Sequence, residues 1–369
     1  MIKRIVISFL LYVSAVNAGP YTEKGISAYI GADWRSAATY DSDCFTNPIF
    51  NRWASSVSSY YASSNVGYFN DTSKALGEPT GEDSGLVCLG EVEKGSNPLS
   101  TPGQITLDFS ADGDVISNKK GYDFAIFENG FVANSAGSDE IAVGQSFVEL
   151  AYVEVSTNGV DFVRFPSVSL TPAPTGIRPT EEYPCGEYPF LTLGVSNLFN
   201  LAGKHTNTPV NCSGTPFDLN DLVNDPLVGD KVFLDDIRYI RIIDIPGHGY
   251  YYDQAYSASF LDPFTRPLYN IFGIDNPIYD GWPTDETGGF DLDAVGVLEE
   301  QEYSADINLD GLVDLYDFVL FASSWEKNFG EDGWIERCNM ALPRDTVINL
   351  DDLLVFVSEW QCIEKWRTP

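Results

Sequence analysis

Between Gly19 and about Leu298 the apolar residues fall in short runs rich in Val, Ile, Tyr and Phe. Clusters of Gly, Pro, Asn, Asp and Ser separate them, a pattern that predicts strands joined by turns. The clearest strands are Gln104–Phe109, Asp123–Phe127, Phe147–Val155, Tyr239–Asp244 and Phe290–Leu298. Thr157-Asn158-Gly159 lies between the runs Tyr152–Val155 and Phe162–Phe165. Asn and Gly both tolerate positive φ, so this is a hairpin signal. Many strands at this spacing predict a mainly β fold, a jelly-roll-like β-sandwich over residues 75–298. Residues 27–64 carry no clean alternation, so 19–74 is expected to be an N-terminal extension packed on that sandwich. The Pro-rich stretch 171–178 and residues 253–282 are expected to be loops, where binding sites concentrate.

At Glu299 the register changes. After an acidic linker, 299–303, two similar segments follow 35 residues apart, so that Asp310 overlays Asp345, Asp314 overlays Asn349, Asp317 overlays Asp352 and Trp325 overlays Trp360. Each has an acidic loop followed by apolar residues at helical spacing: Leu315, Phe318, Val319, Ala322, Trp325, then Leu350, Leu353, Leu354, Val357, Trp360. Residues 304–369 therefore read as a small all-α unit built from a duplicated loop–helix.

Residues 1–18 have the form of an export signal, with Lys3 and Arg4, an apolar run from Ile5 to Val13, and Ala18 before Gly19. The expected protein is exported, without a transmembrane anchor. A formal charge of −33 argues against nucleic acid as a partner and suits calcium or solubility. Six cysteines in an exported chain suggest disulfides, with Cys185–Cys212, Cys338–Cys362 and Cys44–Cys88 preferred among fifteen pairings. Only two histidines are present. That scarcity excludes most zinc sites and makes a histidine-based triad a poor expectation. His205 is expected to be a structural, hydrogen-bonding residue.

The loop from Asp306 to Asp317 carries the clearest chemistry. Calcium takes six to eight oxygens, which a loop supplies from alternate side chains and one carbonyl. Asp306, Asn308 and Asp310 stand at the first, third and fifth positions, and Gly311 allows a sharp turn at the sixth. Leu312 offers its carbonyl, Asp314 reaches the ion directly or through water, and Asp317 closes the loop. The competing reading is an acidic turn that merely caps a helix. With Asp in place of Glu at the twelfth position, no preceding helix and a duplication, this region resembles dockerin type I repeats. That resemblance implies a calcium-dependent attachment module whose partner is a cohesin-like or other cell-surface protein. In the second repeat Ala341 and Pro343 stand where ligands belong. Asp345, Asn349 and Asp352 are thus an incomplete second metal set, which Cys338–Cys362 would staple instead.

In the larger region, YDFAIFENGF (Tyr122–Phe131), ELAYVEVSTNGVDFVRFPSVSLT (Glu149–Thr171) and GGFDLDAVGVL (Gly288–Leu298) resemble a family of uncharacterised bacterial cell-surface proteins, which brings a fold but no activity. Glu128, near the end of a strand apolar on both faces, needs a partner if buried. Asp291 and Asp293 share a strand face and are candidates to join it around a calcium. Alternatively these acids bond backbone amides, or Arg238 and Arg241. Tyr250, Tyr251, Tyr252 and Trp282 form a candidate sugar-stacking platform, with Asp253 and Asp280 as hydroxyl acceptors, against a reading of local packing. Together these features predict an exported, non-enzymatic, calcium-binding protein with a β-sandwich that binds a ligand such as carbohydrate. The alternatives are a dockerin-tethered glycoside hydrolase working through carboxylates, or a structural surface-layer component.

Overall fold

The computed structural model describes residues 21, 23–30, 45–81, 84–92, 101–110, 113–132, 146–174, 193–205, 212–253, 276–282, 288–342 and 344–367. The expected export signal, and Cys44 and Cys185, lie outside them. The fold is mainly β and antiparallel. One sheet runs Ile26–Ser27, Ser213–Phe217, Phe124–Glu128, Asp291–Leu298, Phe50–Trp53, with Val87–Cys88 also paired to 291–298. The other runs Val163–Arg164, Ala151–Ser156, Tyr239–Asp244, Gln104–Asp108, Val57–Tyr61. Two α-helices, α1 (Leu315–Ser323) and α2 (Leu350–Ser358), stand among the described residues. Neither is long and apolar enough to cross a membrane.

The strand patterns follow from what each face meets. In Tyr239–Asp244 alternate residues are buried, and Ile240 and Ile242 enter the largest apolar core. Ile105, Leu107, Val153 and Val155 join them from the same sheet, with Phe124, Ile126, Val295 and Val297 from the other. The 124–128 strand is buried along its whole length. Its other face, with Ala125 and Phe127, belongs to a second core that includes Ile49, Phe50 and Ala294. The hairpin at Asn158–Gly159 forms, pairing Glu154 with Arg164 and Val155 with Val163, and Gly159 adopts φ +72°.

The described part of residues 19–74 supplies strands to both sheets. Ile26–Ser27 and Phe50–Trp53 are strands of the first sheet, and Val57–Tyr61 edges the second. They escape a period-two reading because edge strands are half exposed: Val57–Tyr61 has no buried residue. Residues 299–303 are likewise tied down. The Gln301 side chain is buried, accepts the Tyr122 amide and donates to the Tyr122 carbonyl at 3.0 Å. Leu309 and Trp366 then pack on the second core, seating the C-terminal region on the sheet.

That region is built by reciprocal pairing. Residues 361–364, after α2, pair with the first loop through Val313 N–H to Cys362 O and Glu364 N–H to Gly311 O. Residues 326–329, after α1, pair with the second loop through Ile348 N–H to Lys327 O and Phe329 N–H to Thr346 O. Phe321 and Phe356 stack between the helices at 5.4 Å. Cys338 and Cys362 both line this core, yet each is a free thiol, which corrects the expected pairing. Their surroundings explain it. Cys338 lies by Ser324, its thiol pushed up to about 12 chiefly by burial, while Cys362 lies beside Tyr303.

Candidate metal centre

The first loop reverses sharply, with Leu309 at φ +59° and Gly311 at φ +86°. Gly311 also has no room for a side chain, because a Cβ would stand 2.7 Å from the Trp366 ring. Asp306 Oδ1 accepts the Asp310 amide and Oδ2 the Gly311 amide at 2.9 Å. Asn308 Oδ1 accepts from Asp310, and Asp310 Oδ1 accepts from Leu312. These bonds tie side chains 1, 3 and 5 to the backbone of the loop's own turn. Asp314 then caps α1, and Asp317, wholly buried, closes the box. Its Oδ1 accepts the Ile307 and Asn308 amides at 2.8 and 3.0 Å, and its Oδ2 accepts the Asp314 amide at 2.9 Å. The capping role is therefore present in the geometry, and it does not exclude coordination, since a carboxylate has about four acceptor sites.

The donor set fits a hard cation: four carboxylates, one amide oxygen and the Leu312 carbonyl. Burial, with Asp317 and Asp310 nearby, raises the Asp306 pKa to about 7 despite Arg337; Asp317 is raised by burial too. Arg367 bridges to Asp310 at 3.0 Å and also donates to its carbonyl. An ion in the loop would take over the charge balance that Arg367 supplies to Asp310.

The second loop repeats the cap but not the ligand arrangement. Asn349 caps α2, and Asp352 Oδ2 accepts the Asn349 amide at 2.9 Å. Its Oδ1, however, accepts from Met340 and Ala341, two residues earlier than the equivalents of Ile307 and Asn308. The position matching Asn308 is Pro343, which has no amide hydrogen to give. Asp345 is held by Val347 N–H and by Asn349 Nδ2 at 3.0 Å. Asp345, Asn349 and Asp352 thus order a turn in which Ala341 and Pro343 bring no side-chain oxygen.

In the sheet region the predicted trio separates. Asp293 is engaged elsewhere, accepting the Thr80 amide at 2.9 Å and the Gly81 amide at 2.8 Å. Glu128 and Asp291 do lie together, since Asp291 is one of the charges that raise the Glu128 pKa after burial itself. The arginines are not their partners: Arg238 binds Asp236 at 2.8 Å and Arg241 binds Glu154. Sequence reasoning missed Glu91, Glu149 and Asp244, buried acids beside Glu128 and Asp291. The available signal was an acid inside an apolar run, as in Phe147–Val155 and Tyr239–Asp244.

The aromatic platform is only partly present. Trp282 is buried with Val92, Val148 and Leu193, edge-on to His248 at 4.6 Å. Tyr250, Tyr251 and Tyr252 are on a strand, His248–Tyr252, rather than in a loop, so Tyr251 turns to a core while Tyr250 and Tyr252 are exposed. Asp253 and Asp280 face inward and accept backbone amides, Asp253 from Ser169 and Asn276, Asp280 from Leu150, each at 2.8 Å. His205 Nε2 is buried and makes no hydrogen bond, so only its backbone, which donates to Thr215 Oγ1, plays the expected structural role.

Among the described residues, no three His, Cys, Asp or Glu side chains already stand in coordinating geometry. Comparison with protein-family models, with curated proteins and with solved structures gives no match to this chain.

Proposed function

We propose that the chain is an exported attachment protein: a jelly-roll-like β-sandwich carrying a dockerin-like module, with one calcium ion held by Asp306, Asn308, Asp310, Leu312, Asp314 and Asp317. The observation that carries this reading is the outer face of the two helices. Leu315, Tyr316 and Val319 on α1, and Leu350, Leu354 and Val357 on α2, are each more than half exposed. Leu315 and Val319 sit 35 residues before Leu350 and Leu354, so the stripe occurs twice. An apolar stripe duplicated on a small, strongly acidic protein is costly in water and suits a protein partner of cohesin type. The ion would supply rigidity, fixing the angle at which α1 leaves its loop. Tyr250 and Tyr252, on one face of their strand, are the residues through which the sandwich would meet a sugar ring.

Calcium titration of the full-length mature protein by calorimetry tests the loop. Asp310→Ala is expected to weaken binding strongly and Asp345→Ala to leave it unchanged; heat that is the same for wild type and Asp310→Ala would refute the assignment. Leu354→Asp with Val357→Asp is expected to abolish binding to cohesin-type modules without lowering the melting temperature. Retained binding to such a module would remove the helix face from the reading.

A further inference from the structure

Residues 289–292 draw buried carboxylates together from four parts of the chain. The Gly289 amide donates to Glu149 Oε1 at 2.9 Å, and the next amide, of Phe290, donates to Asp244 Oδ1 at 2.8 Å. Asp291 follows, and Leu292 pairs with Glu128 across the sheet. Glu91 is close by, because Gly289 lies against the backbone of Gly90: a Cβ there would stand 2.6 Å from the Gly90 carbonyl. Glu91, Glu128, Glu149 and Asp244 are all buried, Glu128 completely. Each gives one oxygen to a backbone amide, Glu91 to Val92 and Glu128 to Gly130. The second oxygens of Glu128 (Oε1) and Asp244 (Oδ2) are buried and have no hydrogen-bond partner.

The charges that bear on these acids are other acids. Asp291 and Asp280 act on Glu128, Asp291 on Asp244, and Asp244 and Asp280 on Glu91. Among the described residues, Glu91, Glu128 and Asp244 meet no lysine or arginine. Lys204, the wholly buried lysine among the described residues, is paired with Glu23. A buried carboxylate is stable when paired, protonated or bound to metal. Protons would neutralise the cluster too, whereas an ion would also ligate Glu128 Oε1 and Asp244 Oδ2.

We propose that this cluster is a second, internal divalent-cation site, with Glu128, Glu149, Asp244 and Asp291 as ligands, Glu91 at its border, and calcium as the ion the all-oxygen donor set favours. The inner oxygens stay on the Gly130, Gly289 and Phe290 amides, and the ion draws the outer ones to a common point. Burial and mutual repulsion, which hold Glu128 and Glu149 well above the ordinary carboxylate range, are what the ion would relieve. This site is independent of the C-terminal loop and would rigidify the sheet.

The test is calcium stoichiometry by equilibrium dialysis on the full-length protein at pH 7.5, in wild type, Asp317→Ala, Glu128→Gln and Asp244→Asn. Two ions per chain are expected in wild type. One is expected in Asp317→Ala, with Glu128→Gln and Asp244→Asn each weakening the internal site at least ten-fold. Thermal unfolding of Asp317→Ala with calcium and with chelator gives a second reading, and calcium is expected to raise the melting temperature. If Asp317→Ala binds no calcium and melts alike in both, while Glu128→Gln stabilises the metal-free protein, the cluster holds protons and the proposal is overturned. One ion in wild type, kept in Asp317→Ala and lost in Glu128→Gln, would support the internal site and refute the loop.

Discussion

Replacing Asp317 and Asp352 in turn by Ala separates what the ion does from what the helix caps do. Asp317 accepts three amides, from Ile307, Asn308 and Asp314. Asp352 accepts three as well, from Met340, Ala341 and Asn349, at 2.7, 2.9 and 2.9 Å. Hydrogen bonds to a charged acceptor contribute about 1.5–3 kcal/mol each, and neighbouring losses do not add in full. Each variant should therefore lose about 3–5 kcal/mol of local stability in chelator, by the same mechanism. Calcium at about 100 times its dissociation constant stabilises the bound state by about 2.7 kcal/mol. Only a loop with a complete ligand set receives that term. Native-state hydrogen exchange of the amides in α1 and α2 reads local stability directly, and 2.7 kcal/mol is about a hundred-fold in protection. Asp352→Ala should keep the calcium-dependent slowing, and Asp317→Ala should lose most of it. Equal responses in the two variants, or loss of the response in Asp352→Ala alone, would refute the asymmetry argued for the loops.

In chelator, the protein should be less stable at pH 8 than at pH 5. Asp123, raised to about 8 chiefly by burial with Asp218 nearby, keeps its proton in the folded state while the unfolded chain loses it near pH 4. Stability therefore falls as pH rises through that window, by about 1.4 kcal/mol per unit and per such group, and urea midpoints that rise with pH would contradict this. Trp282→Ala should cost about 3–5 kcal/mol by leaving a cavity against Val92, Val148 and Leu193, whereas Tyr252→Ala should change stability by less than about 1 kcal/mol. Similar melting temperatures for the two variants would show that Trp282 is not core. Thiol titration of the denatured, unreduced chain should find at least two thiols, with peptide mapping at Cys338 and Cys362; a value near zero would contradict it.

The long runs were legible because one physical cause dominates each. Tyr239–Asp244 alternates because one face meets the core, and the duplicated loops announce themselves because acids at alternate positions precede helical spacing. Three features were hidden. Edge strands such as Val57–Tyr61 carry little burial signal, so their sheet membership rests on long-range pairing with 104–108. Aromatic composition alone does not tell Trp282, which is core, from Tyr252 on the same hairpin, which is exposed. The gathering of Glu91, Glu128, Glu149 and Asp244 depends on long-range contacts, such as Gly289 with Glu149 and Phe290 with Asp244, 140 and 46 positions apart in the chain, which no local window contains.

The crossed pairing of each loop with the segment behind the other helix sets an order of events during synthesis. The second loop finds its partner, residues 326–329, already present. The first loop cannot close until residues 361–364 have emerged, because Gly311 and Val313 wait for Glu364 and Cys362. Glu364 also accepts the amides of Glu302 and Tyr303, at 3.0 and 2.9 Å, so the same late residues fasten the region to the strands before it. A chain halted before residue 361 would carry both helices while its first loop stayed open. Closure of the first loop is thereby reserved for molecules whose translation has run past residue 364.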